Sequence, residues 1–282
     1  MLSKKALAGR TVFMTGGSRG IGLAIAVRAA REGANIAFMA KTDSPDPRLP
    51  GTVHTAATEI EAAGGQALPI VGDIRDDEAV GSAVRSAAER FGGIDIVVNN
   101  ASAIALTGIG ELPVKRYDLM QNINARGTFV VTSAALPYLL ESTHPRVLTL
   151  SPPLNLDPIW FSEYAPYTVS KYGMTMLTLG VAEQYRERGI AANCLWPRTL
   201  IATAAVQNVV AGDEGMRAAR RPEIMADAAA LVLTYTAEEA SGRCFIDDEV
   251  LRAAGVSDLS RYLHDGATED RLETDLFLSP IP

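Results

Sequence analysis

The segment TGGSRGIG, residues 15–22, decides how the rest of the sequence is interpreted. It follows a short apolar run, TVFMT, and precedes IGLAIAVRAARE, in which the apolar spacing is helical. Its glycines have the spacing GxxxGxG, and at a strand-to-helix turn they let a phosphate approach the N–H groups of the helix N-terminus. We therefore predict a pyrophosphate site on the loop residues Gly16, Gly17, Ser18, Arg19, Gly20, Ile21 and Gly22.

Short β-like runs alternate with helical stretches along the chain, and the runs lack the period-two alternation of half-exposed strands. We expect strands at residues 11–15, 35–40, 67–71, 94–99, 146–150, 191–196 and 243–247, with helices at 21–32, 54–63, 77–91, 114–140, 167–186 and 224–235. This order predicts an α/β protein with a single-domain Rossmann fold, in which helices cover both faces of a doubly wound, seven-stranded parallel sheet.

One dinucleotide-binding domain at residues 1–254 accounts for these elements. The remainder, 255–282, is polar and acidic, and we expect it to form a C-terminal tail that packs on the domain or on a neighbouring subunit. The 33 acidic and 26 basic residues give a net charge of −7 without a basic tract, so we expect neither a nucleic-acid nor a membrane partner. The polar N-terminus predicts a cytoplasmic protein. Two scattered cysteines predict reduced thiols and no metal site.

Two polar positions follow later strands and should lie beside the glycine loop. Asp73 follows the third strand, where its carboxylate can accept a hydrogen bond from an adenine amino group, although it also fits the N-cap of the next turn. Asn100 belongs to an Asn-Asn-Ala run at the end of the fourth strand. Ligands of such sheets bind at the carboxyl ends of the strands, so both residues are predicted to contribute to the cofactor site.

Tyr167 and Lys171, in YTVSK, are four residues apart on a predicted helix and should share one face. An ammonium about 4 Å from a phenol would lower the phenol pKa by roughly three units from about 10, before burial opposes it. Tyr167 is therefore the predicted acid/base for a carbonyl or alcohol, and Lys171 its activator and a ligand of the ribose hydroxyls. Asn124, within the predicted long helix, is expected to hold a water that relays protons from Lys171.

These motifs together resemble the classical short-chain dehydrogenases over residues 7–246. MAKT, NNASAI, SPPLNLDPIWF and LWPRT are similar to a hydroxysteroid-dehydrogenase-like subgroup, whose bacterial relatives act on citronellol and other terpenoid alcohols. Animal members carry a sterol-carrier domain, which we expect this chain to lack. The resemblance implies a homodimer or homotetramer. A second serine usual in the family is Pro152 here, which leaves Ser151 as the candidate to bind the substrate oxygen, and the usual Pro-Gly is Pro197-Arg198.

Cofactor choice is predicted from the end of the second strand, where the adenosine ribose would lie. NAD enzymes commonly have an acid there, whereas this chain has Lys41 and Thr42, and Arg19 can reach the same place. The sequence therefore predicts NADP(H), with NAD(H) less favoured. The alternative is that Asp43 folds back onto the ribose.

The predicted substrate is apolar, because hydrophobic residues flank the presumed pocket: Trp160, Phe161, Leu200, Ile201, Val206, Val209 and Val210. The predicted enzyme is thus an alcohol or carbonyl oxidoreductase. Two alternatives remain open. One is an enoyl reductase, since Tyr164 and Lys171 have a Tyr-x6-Lys spacing, and the other is a cofactor-binding protein without turnover.

Overall fold

A computed structural model describes residues 5–46 and 49–279 of the 282-residue chain. The first residues of the expected domain, 1–4, and the end of the expected tail, 280–282, lie outside the described residues, as do 47 and 48 in the loop after the second strand.

Seven parallel strands form one sheet in the order β3-β2-β1-β4-β5-β6-β7, which confirms the predicted doubly wound fold. The reversal of strand order between β1 and β4 creates a crevice at the carboxyl ends of these strands, where ligands of such sheets bind. The strands are β1 Thr11–Thr15, β2 Asn35–Ala40, β3 Gln66–Val71, β4 Ile96–Asn99, β5 Arg146–Thr149, β6 Ala191–Trp196 and β7 Cys244–Ile246.

Helices cover both faces of the sheet. Those on one face are α1 Gly20–Arg31, α2 Val53–Ala62, α9 Glu223–Val232 and α10 Asp247–Ala253, and those on the other are α3 Asp77–Phe91, α5 Ala125–Glu141 and α7 Ala165–Gln184. The remaining helices are α4 Val114–Ile123, α6 Ile159–Ser162 and α8 Gly212–Arg217. A short π-helical turn occupies Val206–Val210.

The three central residues of β1 are apolar because the strand is covered on both faces. Val12 and Met14 belong to the core beneath α1 and α9, whereas Phe13 belongs to the core beneath α3 and α5. Successive side chains of a strand point to opposite faces, so a strand covered on both faces is buried throughout. All of β1 is buried, and it ends at the glycine loop.

The predicted continuous helix at residues 114–140 is wrong. The structure has α4 and α5 instead, which are separated at Asn124, where ψ is −80°. Both halves have helical spacing, so the pattern cannot reveal the break. A tertiary contact accounts for it: the Asn124 carboxamide is hydrogen-bonded to the backbone of Ala103, as described below.

The described part of the tail lies on the domain. Residues 273–278, here called the C-terminal strap, run beside the loop that follows β6. Leu200 N donates to the carbonyl oxygen of Glu273 at 3.0 Å, and Asp275 N donates to that of Arg198 at 3.0 Å. Trp196 Nε1 donates to the carbonyl oxygen of Leu276 at 2.9 Å. The strap therefore lies over the carboxyl end of β6.

Candidate active site

The glycine loop borders a cleft of about 1110 Å³ at the carboxyl edge of the sheet. Gly16 and Gly20 have φ values of +71° and +55°, which L side chains rarely adopt. The N-cap residue of α1, Arg19, makes no side-chain cap, so the first turn of α1 meets the cleft with backbone groups. A helix N-terminus of this kind is suited to bind a phosphate.

Asn100 fixes the glycine loop to the end of β4. Its Nδ2 donates to the carbonyl oxygens of Thr15 and Gly16 at 3.0 and 2.9 Å. A Cβ on Gly22 would lie 2.4 Å from the Gly16 oxygen and 2.5 Å from Asn100 Nδ2, so this position admits only glycine without a shift of the loop. Asn100 and Ile21 both line the cleft, and Asn100 also positions the loop.

Both cations predicted near the ribose lie at the end of β2, each with its own partners. Lys41 Nζ lies 3.2 Å from Asp73 Oδ2, and Arg19 donates to Thr42 Oγ1 and, at 3.3 Å, to the carbonyl oxygen of Gly51. Arg19, Lys41 and Thr42 all line the cleft. Burial lowers the pKa of Arg19, because desolvation disfavours the charged guanidinium.

Two acids in this region have partners of their own. Asp43, the alternative ribose ligand, lies 2.8 Å from His54 Nε2. Asp73 accepts hydrogen bonds from the backbone and side chain of Arg75, and this guanidinium, with a further contribution from Lys41, lowers the pKa of Asp73 well below its usual range. Asp73 is therefore a carboxylate already engaged by two cations.

Tyr167 and Lys171 are both buried on α7, one turn apart. The ammonium of Lys171 donates to the carbonyl oxygen of Leu150 at 2.6 Å and lies 4.9 Å from the centre of the Trp196 ring. Burial lowers the pKa of Lys171 to about 7, so this amine can gain or lose a proton near neutral pH.

In this conformation, burial outweighs the lowering of the Tyr167 pKa that was expected from Lys171 before burial. Burial raises the pKa of Tyr167 well above its usual value of about 10, and the nearby Asp275 carboxylate raises it further. Desolvation disfavours the phenolate, and the hydrogen bond of Lys171 is directed to Leu150. Tyr167 is only 4% exposed, and the Phe277 ring of the strap is among the groups packed against it, 6.1 Å from its ring.

Asn124 and Ser151 are both fully buried. Asn124 Oδ1 accepts from Ala103 N at 2.7 Å, and its Nδ2 donates to the Ala103 carbonyl at 3.0 Å and to Ser170 Oγ at 2.9 Å. Ser151 Oγ accepts from Thr175 Oγ1 at 3.0 Å. These contacts give Asn124 a role in holding the loop after β4 and attach Ser151 to α7.

Some of the apolar residues predicted to flank the substrate pocket belong to the core, and others lie at the cleft or near Tyr167. Leu200, Ile201 and Val206 are buried, and Ile201 belongs to the main core beneath α1 and α9. Val209 lines the cleft. Trp160 and Phe161 lie on α6, and their rings contact Phe277 and Tyr172, respectively.

The sequence interpretation missed Asp275 and Phe277. Burial raises the pKa of Asp275 to about 7, and the Phe277 ring packs 6.1 Å from that of Tyr167. The available signal was the run LFL at 276–278, which is apolar within an otherwise polar tail. Its partners are distant in sequence, so no local pattern connects it to α7.

The described residues hold no group of three or more His, Cys, Asp or Glu side chains arranged for a metal ion. Within the same residues, no helix has the length and apolar character needed to cross a membrane.

Residues 10–214 match the family model described as short chain dehydrogenase. The chain belongs to the short-chain dehydrogenase family. It is 52% identical over 256 residues to hydroxysteroid dehydrogenase-like protein 2 of Danio rerio, a match that covers 91% of this chain and 61% of that protein. The chain thus spans about three fifths of that relative. The predicted family and its hydroxysteroid-dehydrogenase-like relationship are confirmed.

Solved structures support the same assignment. A dehydrogenase structure from Xanthomonas campestris is 53% identical and superimposes with a TM-score of 0.92, covering 97% of this chain and 99% of that one. A blue fluorescent protein from a metagenomic library, solved in complex with NADPH, is 27% identical with a TM-score of 0.73, covering 86% of this chain and 97% of that one. The family to which the chain belongs consists of oxidoreductases that bind NAD(P).

Proposed function

We propose that this chain is an NADP(H)-dependent oxidoreductase that interconverts an apolar alcohol and its ketone or aldehyde. Tyr167 is the acid/base and Lys171 its activator. The observation that carries the choice of NADP(H) is the charge at the end of β2. Arg19, Lys41 and Thr42 line the cleft there, whereas Asp43 is paired with His54. Two cations can make charge-assisted contacts with a 2′-phosphate that a hydroxyl does not match.

The residues of the cleft fit a dinucleotide. The glycine loop, held by Asn100, would bind the pyrophosphate at the N-terminus of α1, and Asp73 would face the adenine. The structure of the NADPH complex of the 27%-identical relative is consistent with this use of the fold. The nicotinamide supplies a hydride during reduction and accepts one during oxidation.

The proton is handled by α7. Tyr167 donates a proton to the carbonyl oxygen in reduction and accepts one from the alcohol in oxidation. Lys171, with a pKa near 7, exchanges protons at neutral pH and stabilises the phenolate once its ammonium turns from Leu150 toward the ring. Asn124 positions the loop that faces this pair, and Ser151, through Thr175, supports the backbone of α7.

Lys41→Ala tests the cofactor assignment. The wild type should bind NADP(H) about 10- to 100-fold more tightly than NAD(H), because one charge-assisted contact contributes roughly 1–3 kcal/mol. The variant should lose a large part of this preference. Titration calorimetry with both oxidised coenzymes measures the ratio, and Lys115→Ala, on the exposed face of α4, is the matched control. Tighter NAD(H) binding in the wild type, or an unchanged ratio in the variant, contradicts the proposal.

We also propose a homodimer or homotetramer. Val169 and Met176 are exposed apolar residues seven positions apart on α7, and Phe129 is exposed on the neighbouring α5. Such a surface is suited to bury itself against a second copy. Sedimentation analysis of the purified chain determines the oligomeric state directly.

A further inference from the structure

Phe277 is enclosed by aromatic side chains. Its ring is 1% exposed and lies 5.3–6.4 Å, centre to centre, from five other rings. We call these five residues the aromatic cage: Trp160, Tyr164, Tyr167, Tyr172 and Trp196. One of them is the proposed acid/base, so the cage lies where the group attached to a reacting carbonyl would be.

The strap brings Phe277 into the cage at a cost. Phe277 has a φ of +70°, a left-handed conformation that is strained for a residue with a side chain. Insertion also buries the carboxyl of Asp275, whose pKa rises to about 7 as a result. A ligand ring in the same cage would gain the same aromatic contacts without either cost.

Closure of the strap also blocks the proposed chemistry. Tyr167 is 4% exposed and Lys171 is 2% exposed, and the residues that line the 1110 Å³ cleft include neither of them. A substrate carbonyl must reach the Tyr167 hydroxyl within hydrogen-bonding distance. Phe277 therefore has to leave before an apolar substrate can occupy the cage.

We propose that the aromatic cage is the subsite for a planar hydrocarbon ring of the substrate, and that Phe277 fills it in the closed form and competes with the substrate. The inference rests on the proposed function and specifies its substrate class as an aryl-bearing ketone or aldehyde. In reduction, the hydride of NADPH adds to the carbonyl carbon and the Tyr167 proton to the oxygen, which yields the aryl-bearing alcohol and NADP⁺.

Two methyl ketones of equal carbon number test the substrate class. 4-Phenyl-2-butanone and 2-decanone each place a methyl carbonyl beside a hydrocarbon group, but only the first has a ring. The linear ketone is the more hydrophobic of the two. A pocket that selects only for hydrophobicity would therefore prefer 2-decanone. We expect kcat/KM for the phenyl ketone to be at least about tenfold higher with NADPH. Equal values, or a preference for 2-decanone, overturn the proposal.

Phe277→Ala tests the competition. If Phe277 competes with the substrate ring, the variant should raise kcat/KM for 4-phenyl-2-butanone severalfold through a lower KM, because less of the protein is closed. Phe245→Ala is the matched control, since it removes a ring that packs against that of Tyr235, 5.8 Å between centres, outside the cage. It should leave kcat/KM unchanged. A fall in kcat/KM for Phe277→Ala means that Phe277 is a fixed wall of the pocket and overturns the proposal.

Hydrogen exchange of the wild type decides the question without turnover or substitution. Binding of 4-phenyl-2-butanone should increase deuterium uptake in the peptide that contains the strap, because the hydrogen bonds that the amides of Glu273 and Asp275 donate to the carbonyl oxygens of Ala218 and Arg198 are broken. 2-Decanone at equal concentration should not do so. Unchanged or decreased uptake with the phenyl ketone overturns the inference. Absence of any ketone reduction, combined with increased uptake, contradicts the proposed function but retains the cage as an aryl site.

Discussion

The two ends of the site use charge in opposite ways. At the glycine-loop end, Asp73 is engaged by Arg75 and Lys41 beside an open cleft, and its pKa is lowered. At the cage end, burial raises the pKa of Asp275, a residue of the strap, to about 7. The pKa values of these two carboxyl groups are thus shifted in opposite directions, because one carboxylate gains cationic partners and the other loses water.

This difference indicates how the two ends respond to ligands. The glycine loop has its left-handed glycines and its Asn100 contacts in place, so the cofactor end is preorganised. The cage end is filled by Phe277, and its buried charges make the closed form costly. We therefore expect substitutions at the first end to alter cofactor affinity and those at the second to alter turnover or pH dependence.

Tyr167→Phe should have the largest effect. The variant keeps the ring in the cage but loses the transferable proton, so turnover should fall by about 10²–10⁴-fold while coenzyme affinity stays near that of the wild type. Steady-state kinetics and calorimetry measure the two quantities. Tyr164→Phe is the control and should remain active. The enoyl-reductase alternative predicts the reverse order, and more than a few per cent residual activity in Tyr167→Phe would refute the assignment.

Gly22→Ala should disrupt the glycine loop and leave the aromatic cage intact. The added Cβ would approach the Gly16 oxygen to 2.4 Å, which forces the loop away from α1, and coenzyme affinity should fall by about tenfold or more. Gly180→Ala on α7 is the matched control, because its Cβ would meet no atom within 4 Å and alanine is the better helix former. Calorimetry with NADP⁺ reports affinity. Wild-type affinity in Gly22→Ala would show that the loop tolerates a side chain.

Asp275→Asn should have the smallest effect of the three substitutions. It tests whether burial of the Asp275 carboxyl lowers the stability of the protein as the pH rises. An acid with a raised folded-state pKa contributes stability that is present below its unfolded pKa of about 4 and is lost as the pH rises through about 7. The variant should therefore become more stable relative to the wild type as the pH increases from 4 to 8. Urea unfolding at both pH values measures the difference, which is on the order of a few kcal/mol at most, since one pKa unit corresponds to about 1.4 kcal/mol. A difference that is independent of pH would show that Asp275 does not titrate in this range.

The sequence alone determined the order of the seven strands, the glycine loop and the family. These features depend on apolar periodicity and on glycine spacing, which are properties of neighbouring residues. The pairing of Tyr167 with Lys171 on one helical face follows from the same local geometry. The sequence likewise indicated Lys41 and Thr42 at the end of β2.

Only the tertiary structure decided what surrounds those residues. The helix break at Asn124 depends on a contact with Ala103, 21 residues away, and Ser151 is held by Thr175, 24 residues away. The raised pKa of Tyr167 comes from burial and from Asp275, which is 108 positions later in the sequence, because burial is created by packing and not by adjacency. A local pattern can name a phenol and an amine, but whether water reaches them depends on segments that only the fold brings together.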